Sequence, residues 1–165
     1  MNFEPFILCL PGQRQPKPRP IETPGGLADR MRTAAFAEKQ AIHAFAWAAK
    51  KYDDVPQALR DDWARLVPEE EKHFRLIIDR MADLGFSLSE RPVSTRLWDS
   101  LEECRTGQEF CQRIAGAEER GRQAGLLLVK YLADKDPATA AVFEEIVIDE
   151  VAHVKLAETY FGWTP

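Results

Sequence analysis

Glu70-Glu71-Lys72-His73 and Glu150-Val151-Ala152-His153 repeat one spacing, a glutamate followed three residues later by a histidine, and both lie in long helical stretches. A lone glutamate stands one helix earlier in each case, Glu38 before the first pair and Glu118 before the second. Residues i and i+3 share a helix face, so each pair directs a carboxylate and an imidazole the same way. Four carboxylates and two imidazoles meeting at one level between four helices are the ligand set of a non-haem dimetal centre, most often of two irons.

The residues around these positions read as helices. The stripe Met31, Ala34/Ala35, Glu38, Ala41/Ile42, Phe45, Ala48/Ala49, Tyr52 has a three-to-four spacing and predicts a helix over 27–52. Asp53-Asp54 break it, and Asp54 with Gln57 offers a cap for a second helix reaching Leu84, where Gly85 stops it. Trp63, Leu66, Glu70, His73, Ile77, Met81 and Leu84 share its inner face, and Pro68 predicts a kink one turn before Glu70. A link follows from Gly85 to Arg105, with a short helix expected near 95–103. Thr106 and Glu109 form the next capping box, and Phe110, Ile114, Glu118, Gly121, Gly125, Leu128 and Leu132 the next stripe. Asp136-Pro137 opens the last helix, which carries Phe143, Ile146/Val147, Glu150, His153/Val154, Ala157 and Tyr160. Short turns make each pair of helices an antiparallel hairpin, and the long link lets the second hairpin cross the first. The expected fold is all-α, an antiparallel four-helix bundle over 27–161 behind an extended, proline-rich arm at 1–26. Phe3, Phe6, Ile7 and Leu8 are the expected anchors of that arm.

Composition narrows the class. A chain of 165 residues, 45% hydrophobic and 30% charged, has the balance of one globular domain able to bury a core. A net charge of -5 disfavours general binding to nucleic-acid backbones. Apolar runs such as Leu126–Val129 fall far short of a membrane span, and the apolar patch Phe6–Leu10 follows Glu4 with no basic segment before it, unlike a secretory signal. Cys9, Cys104 and Cys111 make no Cys-x-x-Cys and fit a reducing, cytoplasmic setting.

Register ties the six residues together. Glu38 lies 14 residues before the expected end of the first helix at Tyr52, and Glu70 lies 15 after the start of the second. Glu118 lies 15 before the end of the third at Ala133 and Glu150 lies 13 after Pro137, an agreement to about half a helical turn. Each glutamate therefore interrupts an apolar stripe at mid-helix, where unpaired carboxylates are costly and raise one another's pKa. A shared cation removes that cost. Glu38 and Glu118 read as terminal ligands, Glu70 and Glu150 as bridges, and His73 and His153 as one ligand for each ion. Asp149 and Glu69 are placed to accept the other ring N–H across the helices, Asp149 from His73 and Glu69 from His153. His43 falls off this face and reads as structural; Tyr52, Tyr131, Tyr160, Trp47 and Trp63 read as packing or surface residues. Gly121 and Gly125 imply either close helix contact or space for a reactant.

Over 27–161 the chain resembles the ferritin-like superfamily of di-iron carboxylate proteins, on the strength of Glu38, Glu70-Glu71-Lys72-His73, Glu118 and Glu150-Val151-Ala152-His153. Ala117-Glu118-Glu119-Arg120-Gly121 resembles the Glu-Ala-Arg-Gly segment of the group called domain of unknown function 455, and Glu38-Lys39-Gln40-Ala41-Ile42 is similar to its first-helix signature. His43 departs from that signature, where a glutamate often stands. The group more distantly resembles tRNA-modifying di-iron hydroxylases. The resemblance implies oxygen chemistry, so the leading expectation is an oxygen-dependent oxidase or monooxygenase. Iron oxidation or storage, peroxide detoxification, and a metal-stabilised helical interaction module are the alternatives. Two iron ions are the expected cofactors, with manganese or zinc compatible with the same ligands. No cysteine pairs offer a built-in electron-transfer centre, so an oxidase would need an external electron donor. A homodimer suits a bundle with a wrapping arm; a membrane partner is not expected, and a tRNA substrate stays open.

Overall fold

The computed structural model describes residues 2–165, which are all-helical, with no strand among them. Four long helices, α1 (Pro24–Lys51), α2 (Gln57–Asp83), α4 (Gly107–Leu132) and α5 (Pro137–Phe161), are joined through a short α3 (Arg96–Glu102) in the middle link. α1 packs along α2 and α4 along α5; the two pairs meet through α2 and α5, whereas α1 and α4 touch sparsely.

The helix ends follow local chemistry, with three departures from expectation. α1 begins at Pro24 rather than Leu27, because Thr23 Oγ1 accepts the Gly26 N–H at 3.0 Å and a proline needs no partner in the first turn. Asp54 does not cap α2, which starts after Pro56 with no side-chain cap. Its carboxylate instead accepts the Gly107 N–H, at 3.0 and 3.1 Å, and so ties the α1–α2 turn to the start of α4. Thr106 caps α4 by accepting the Glu109 N–H at 3.1 Å, but Glu109 reaches back to the Arg105 N–H at 2.8 Å, one residue beyond the reciprocal position. Asp136 caps α5 through the Thr139 N–H at 3.1 Å. Gly85, at φ 68°, ends α2, and Pro68 lies within that helix.

The arm runs beside α1. Phe3 and Phe6 are buried on Phe36, with ring centroids 5.1 and 4.9 Å away. Ile7 and Leu8, expected as further anchors, are 50% and 39% exposed, because this stretch pairs by its backbone, Leu8 forming a parallel bridge with Val93. Farther on, Arg19 pairs with Asp29, a nearly buried carboxylate also held by Arg32 and Arg91. The arm approaches α1 so closely that a Cβ on Gly26 would fall 1.8 Å from the Pro20 carbonyl oxygen, which only glycine permits.

Apolar residues form two separate cores. One gathers Phe45, Tyr52, Trp63, Leu66, Phe110 and Ile114, and the other Phe3, Phe36, Ile77, Met81, Leu132 and Phe143. The acidic residues lie between them along the helices.

Candidate metal centre

Glu38 comes from α1, Glu70 and His73 from α2, Glu118 from α4, and Glu150 and His153 from α5. Mid-helix register brings them to one level. Glu70 and His73 are fully buried, Glu150 and His153 nearly so, and Glu38 is 8% exposed. Glu38, Glu70, His73 and Glu150 each offer a ligand atom within 4.8 Å of the others, a group that could hold a metal ion. His153 adjoins it, and Glu118 stands outside this tightest set, half-buried on α4.

The arrangement has near two-fold regularity. Glu70 turns Oε2 toward His73 Nδ1 at 3.8 Å and Oε1 toward His153 Nδ1 at 2.9 Å. Glu150 does the same, with 3.4 Å from Oε1 to His73 Nδ1 and 3.4 Å from Oε2 to His153 Nδ1. Each of these two carboxylates thus presents one oxygen to each imidazole. The rings lie face to face with centroids 5.7 Å apart, and Glu38 Oε2 is 3.9 Å from His73 Nδ1. On the outer side, His73 Nε2 lies 3.2 Å from Asp149 and His153 Nε2 lies 3.1 Å from Glu69. Lys72 bridges Asp149 and Glu145 at 2.9 and 2.8 Å and steadies the first of these contacts.

The inward atoms do not satisfy one another. Both oxygens of Glu70 and of Glu150, and Nδ1 of each histidine, are buried without a hydrogen-bond partner, their close approaches lying off the bonding directions. Buried polar atoms are normally paired, so six orphans aimed at one locus match the donor set of a bound cation better than they match a packed core. The electrostatics agree. Burial first, then the charges of Glu70 and Glu150, push Glu38 well above the usual carboxylate range. Burial and the charges of Glu150 and Glu70 do the same to Glu118. Burial would also raise Glu70, but the two imidazoles outweigh it and hold it at about 2. Burial opposes charge on the imidazoles, yet Glu150 and Glu70 prevail, lifting His73 to about 9 and His153 to about 12. The cluster gathers positive charge wherever it can, and an entering cation would displace those protons.

A cavity of about 560 Å³ adjoins the cluster, walled by α1, α4 and α5 and, on the outside, by Gln15, Pro18 and Ile21 of the arm. Glu38, Glu118 and Glu150 all line it. Gly121 and Gly125 divide the two roles open to them. A Cβ at Gly125 would meet Val147 Cγ1 at 2.5 Å, a close helix contact, while one at Gly121 would meet nothing within 4 Å. Arg30 and Tyr131 also line the cavity, which sequence reasoning missed; the available signal was the run of small residues, Ala34 and Ala37 facing Ala117, Gly121 and Ala124. His43 lies against Phe3, ring centroids 5.6 Å apart, away from the cluster. Tyr52 donates to the Cys104 carbonyl at 3.0 Å and Tyr160 to Asp62 at 2.7 Å.

An all-helical protein with a buried carboxylate–imidazole cluster able to take a metal is the class these observations define. The chain belongs to the family described as Protein of unknown function (DUF455), which matches residues 3–165. It is also similar to a protein of Haemophilus influenzae named Uncharacterized protein, 26% identical over 155 residues, covering 87% of this chain and 53% of that one. The chain therefore spans about half the length of that relative. No helix of the described residues is long and apolar enough to cross a membrane.

Proposed function

We propose that the four long helices form a ferritin-like bundle around a dimetal carboxylate centre, and that the protein is an oxygen-dependent oxidase or monooxygenase. The observation that carries the reading is the presentation of Glu70 and Glu150, each with one oxygen toward each imidazole and neither oxygen otherwise bonded. In this reading Glu70 and Glu150 bridge two ions, His73 and His153 bind one apiece through Nδ1, and Glu38 and Glu118 complete the set from the cavity side. Asp149 and Glu69 accept the Nε2 protons, which fixes the tautomer that leaves Nδ1 free to donate electrons to a metal. Iron suits this donor set best, with manganese and zinc as competitors. When bound, a pair of irons would supply two-electron reduction of oxygen, given an external electron donor. The chain's own part is to hold the ions, exclude bulk water and admit a reactant through the cavity. That cavity, opening on three of the four glutamates, favours oxidation of an organic substrate over iron storage.

Anaerobic loading with ferrous iron, followed by metal analysis and anomalous scattering, is the test. Two irons per chain are expected for the parent protein, and Glu70→Ala and Glu70→Gln should each lose the paired site while keeping helical content. Unchanged two-metal stoichiometry in both variants would refute the bridge. Oxygen uptake with a chemical reductant then separates an oxidase from a structural site.

A further inference from the structure

The cavity has a chemical polarity of its own. Its inner end is the acidic level of Glu38, Glu118 and Glu150; its middle is Ala37, Gly121, Ala124 and Leu128; Arg30 and Tyr131 stand toward the start of α1 and the end of α4. Arg30 is in no ion pair among the described residues. One nitrogen, Nη1, is fixed by the carbonyls of Arg19 and Gly26 at 2.9 and 2.8 Å, and the remaining guanidinium nitrogens make no hydrogen bond to a described residue. The neighbouring Asp29 cannot serve it, being engaged by Arg19, Arg32 and Arg91. A guanidinium held in place beside an apolar cavity, with donors to spare, fits a carboxylate or phosphate.

Resting on the dimetal reading above, we infer that the cavity binds a slender apolar molecule with one anionic end group, the anion on Arg30 and the apolar end against the Glu38–Glu118–Glu150 level. Charge fixes this direction. Arg30 attracts an anion with donors to spare, whereas at the other end the glutamates already neutralise the positive charge that the cluster gathers. From Arg30 to Glu38 the rise along α1 is about 12 Å at about 1.5 Å per residue, a span matched by an extended medium-length alkyl chain. The volume of about 560 Å³ lies within the range of small-molecule sites. The arm residues Pro18 and Ile21 cover the chain's flank, so the arm belongs to the binding site. The carbon nearest the Glu38–Glu118–Glu150 level would then be one remote from the charged end.

Calorimetric titration of the full chain with decanoate, decyl phosphate and decan-1-ol tests this, in metal-free protein and in protein loaded with zinc, which adds no redox chemistry. At least one of the two anions should bind about tenfold or more tightly than the alcohol, and the tighter anion identifies the head group. Arg30→Gln should abolish that preference while retaining alcohol binding. Gly121→Leu, placed in open space on α4, should lose all three ligands yet keep the parent's metal stoichiometry and helical content. Equal affinity for alcohol and anions in the parent protein, or unchanged binding in Gly121→Leu, would overturn the proposal. A failure of the dimetal reading shows separately, as lost metal stoichiometry with alkyl-anion binding intact in the metal-free protein.

Discussion

On one side of the acidic cluster, beyond His153, the interior is filled by aromatic rings. Phe45 meets the His153 ring with centroids 6.4 Å apart, and Trp63 packs edge-on to Phe110 at 5.2 Å. On the other side, α1 and α4 face each other across alanines and glycines, and a cavity of about 560 Å³ remains, walled by a segment of arm. The helices α1 and α4 contribute to both ends. The difference comes from side-chain size at the facing positions: large rings fill the α1–α4 seam at one end, and small residues leave that seam open at the other, beside the second core. The buried charged cluster is thus shielded by packed rings on one side and adjoined by a cavity on the other.

Truncation should therefore be felt very differently at the two ends. Trp63 is fully buried, and Trp63→Ala should cost about 3–5 kcal/mol of stability through lost burial and the space left behind. Leu127 lines the cavity yet is 71% exposed, so Leu127→Ala should change stability by no more than about 0.5 kcal/mol. Urea denaturation of metal-free protein measures both. Similar costs would mean that the open end is packed after all, and the contrast would fail.

The arm wall is the next point of attack. Burial alone would raise the Asp29 pKa, but hydrogen bonds from Arg19, Arg91 and Arg32 outweigh burial and hold it well below the usual range. A depressed carboxylate stabilises above its unfolded pKa, about 3.9, and that contribution is lost as pH falls toward the folded value. Docking of the arm should thus persist at neutral pH and weaken below about pH 4. Asp29→Asn should lower hydrogen-exchange protection of residues 9–22 by about tenfold at pH 7, with the aromatic end unaffected. Equal loss of protection at Trp63 would show that the two ends do not behave independently.

Much of this was legible in the sequence, for a physical reason. Long helices impose a strict period, so Glu38, Glu70, Glu118 and Glu150 stand out as charges within apolar stripes, and short turns fix their level. The ring partners Asp149 and Glu69 follow from the same helix geometry, each being the neighbour of a glutamate already on the inner face. What escaped depends on distances between segments that share no period. Asp54 reaches across to Gly107 because the α1–α2 turn abuts the start of α4, a relation that no local capping rule contains. Arg30 carried no signal as a single residue, since its importance comes from a cavity formed only when α1 and α4 stand apart. The anchoring of the arm was read from hydrophobicity, yet Ile7 and Leu8 face outward because backbone pairing with Val93 sets the orientation there.

The finest comparison lies within one helix. Gly121 and Gly125 are a single turn apart on α4, both line the cavity, and both could exist for flexibility, for contact or for space. A methyl at 125 would lie 2.5 Å from Val147 Cγ1, and a β-branched side chain in a helix has little rotamer freedom with which to move aside. Overpacking of about 1–3 kcal/mol should exceed the gain in helix propensity of about 1 kcal/mol, so Gly125→Ala should destabilise. A methyl at 121 meets nothing within 4 Å, so Gly121→Ala should gain about 0.5–1 kcal/mol. Opposite signs in urea denaturation would place the tight α4–α5 contact and the open α1–α4 seam one turn from each other. Matching gains at both glycines would mean that α5 can yield, and that the narrow side of the seam is softer than its packing implies.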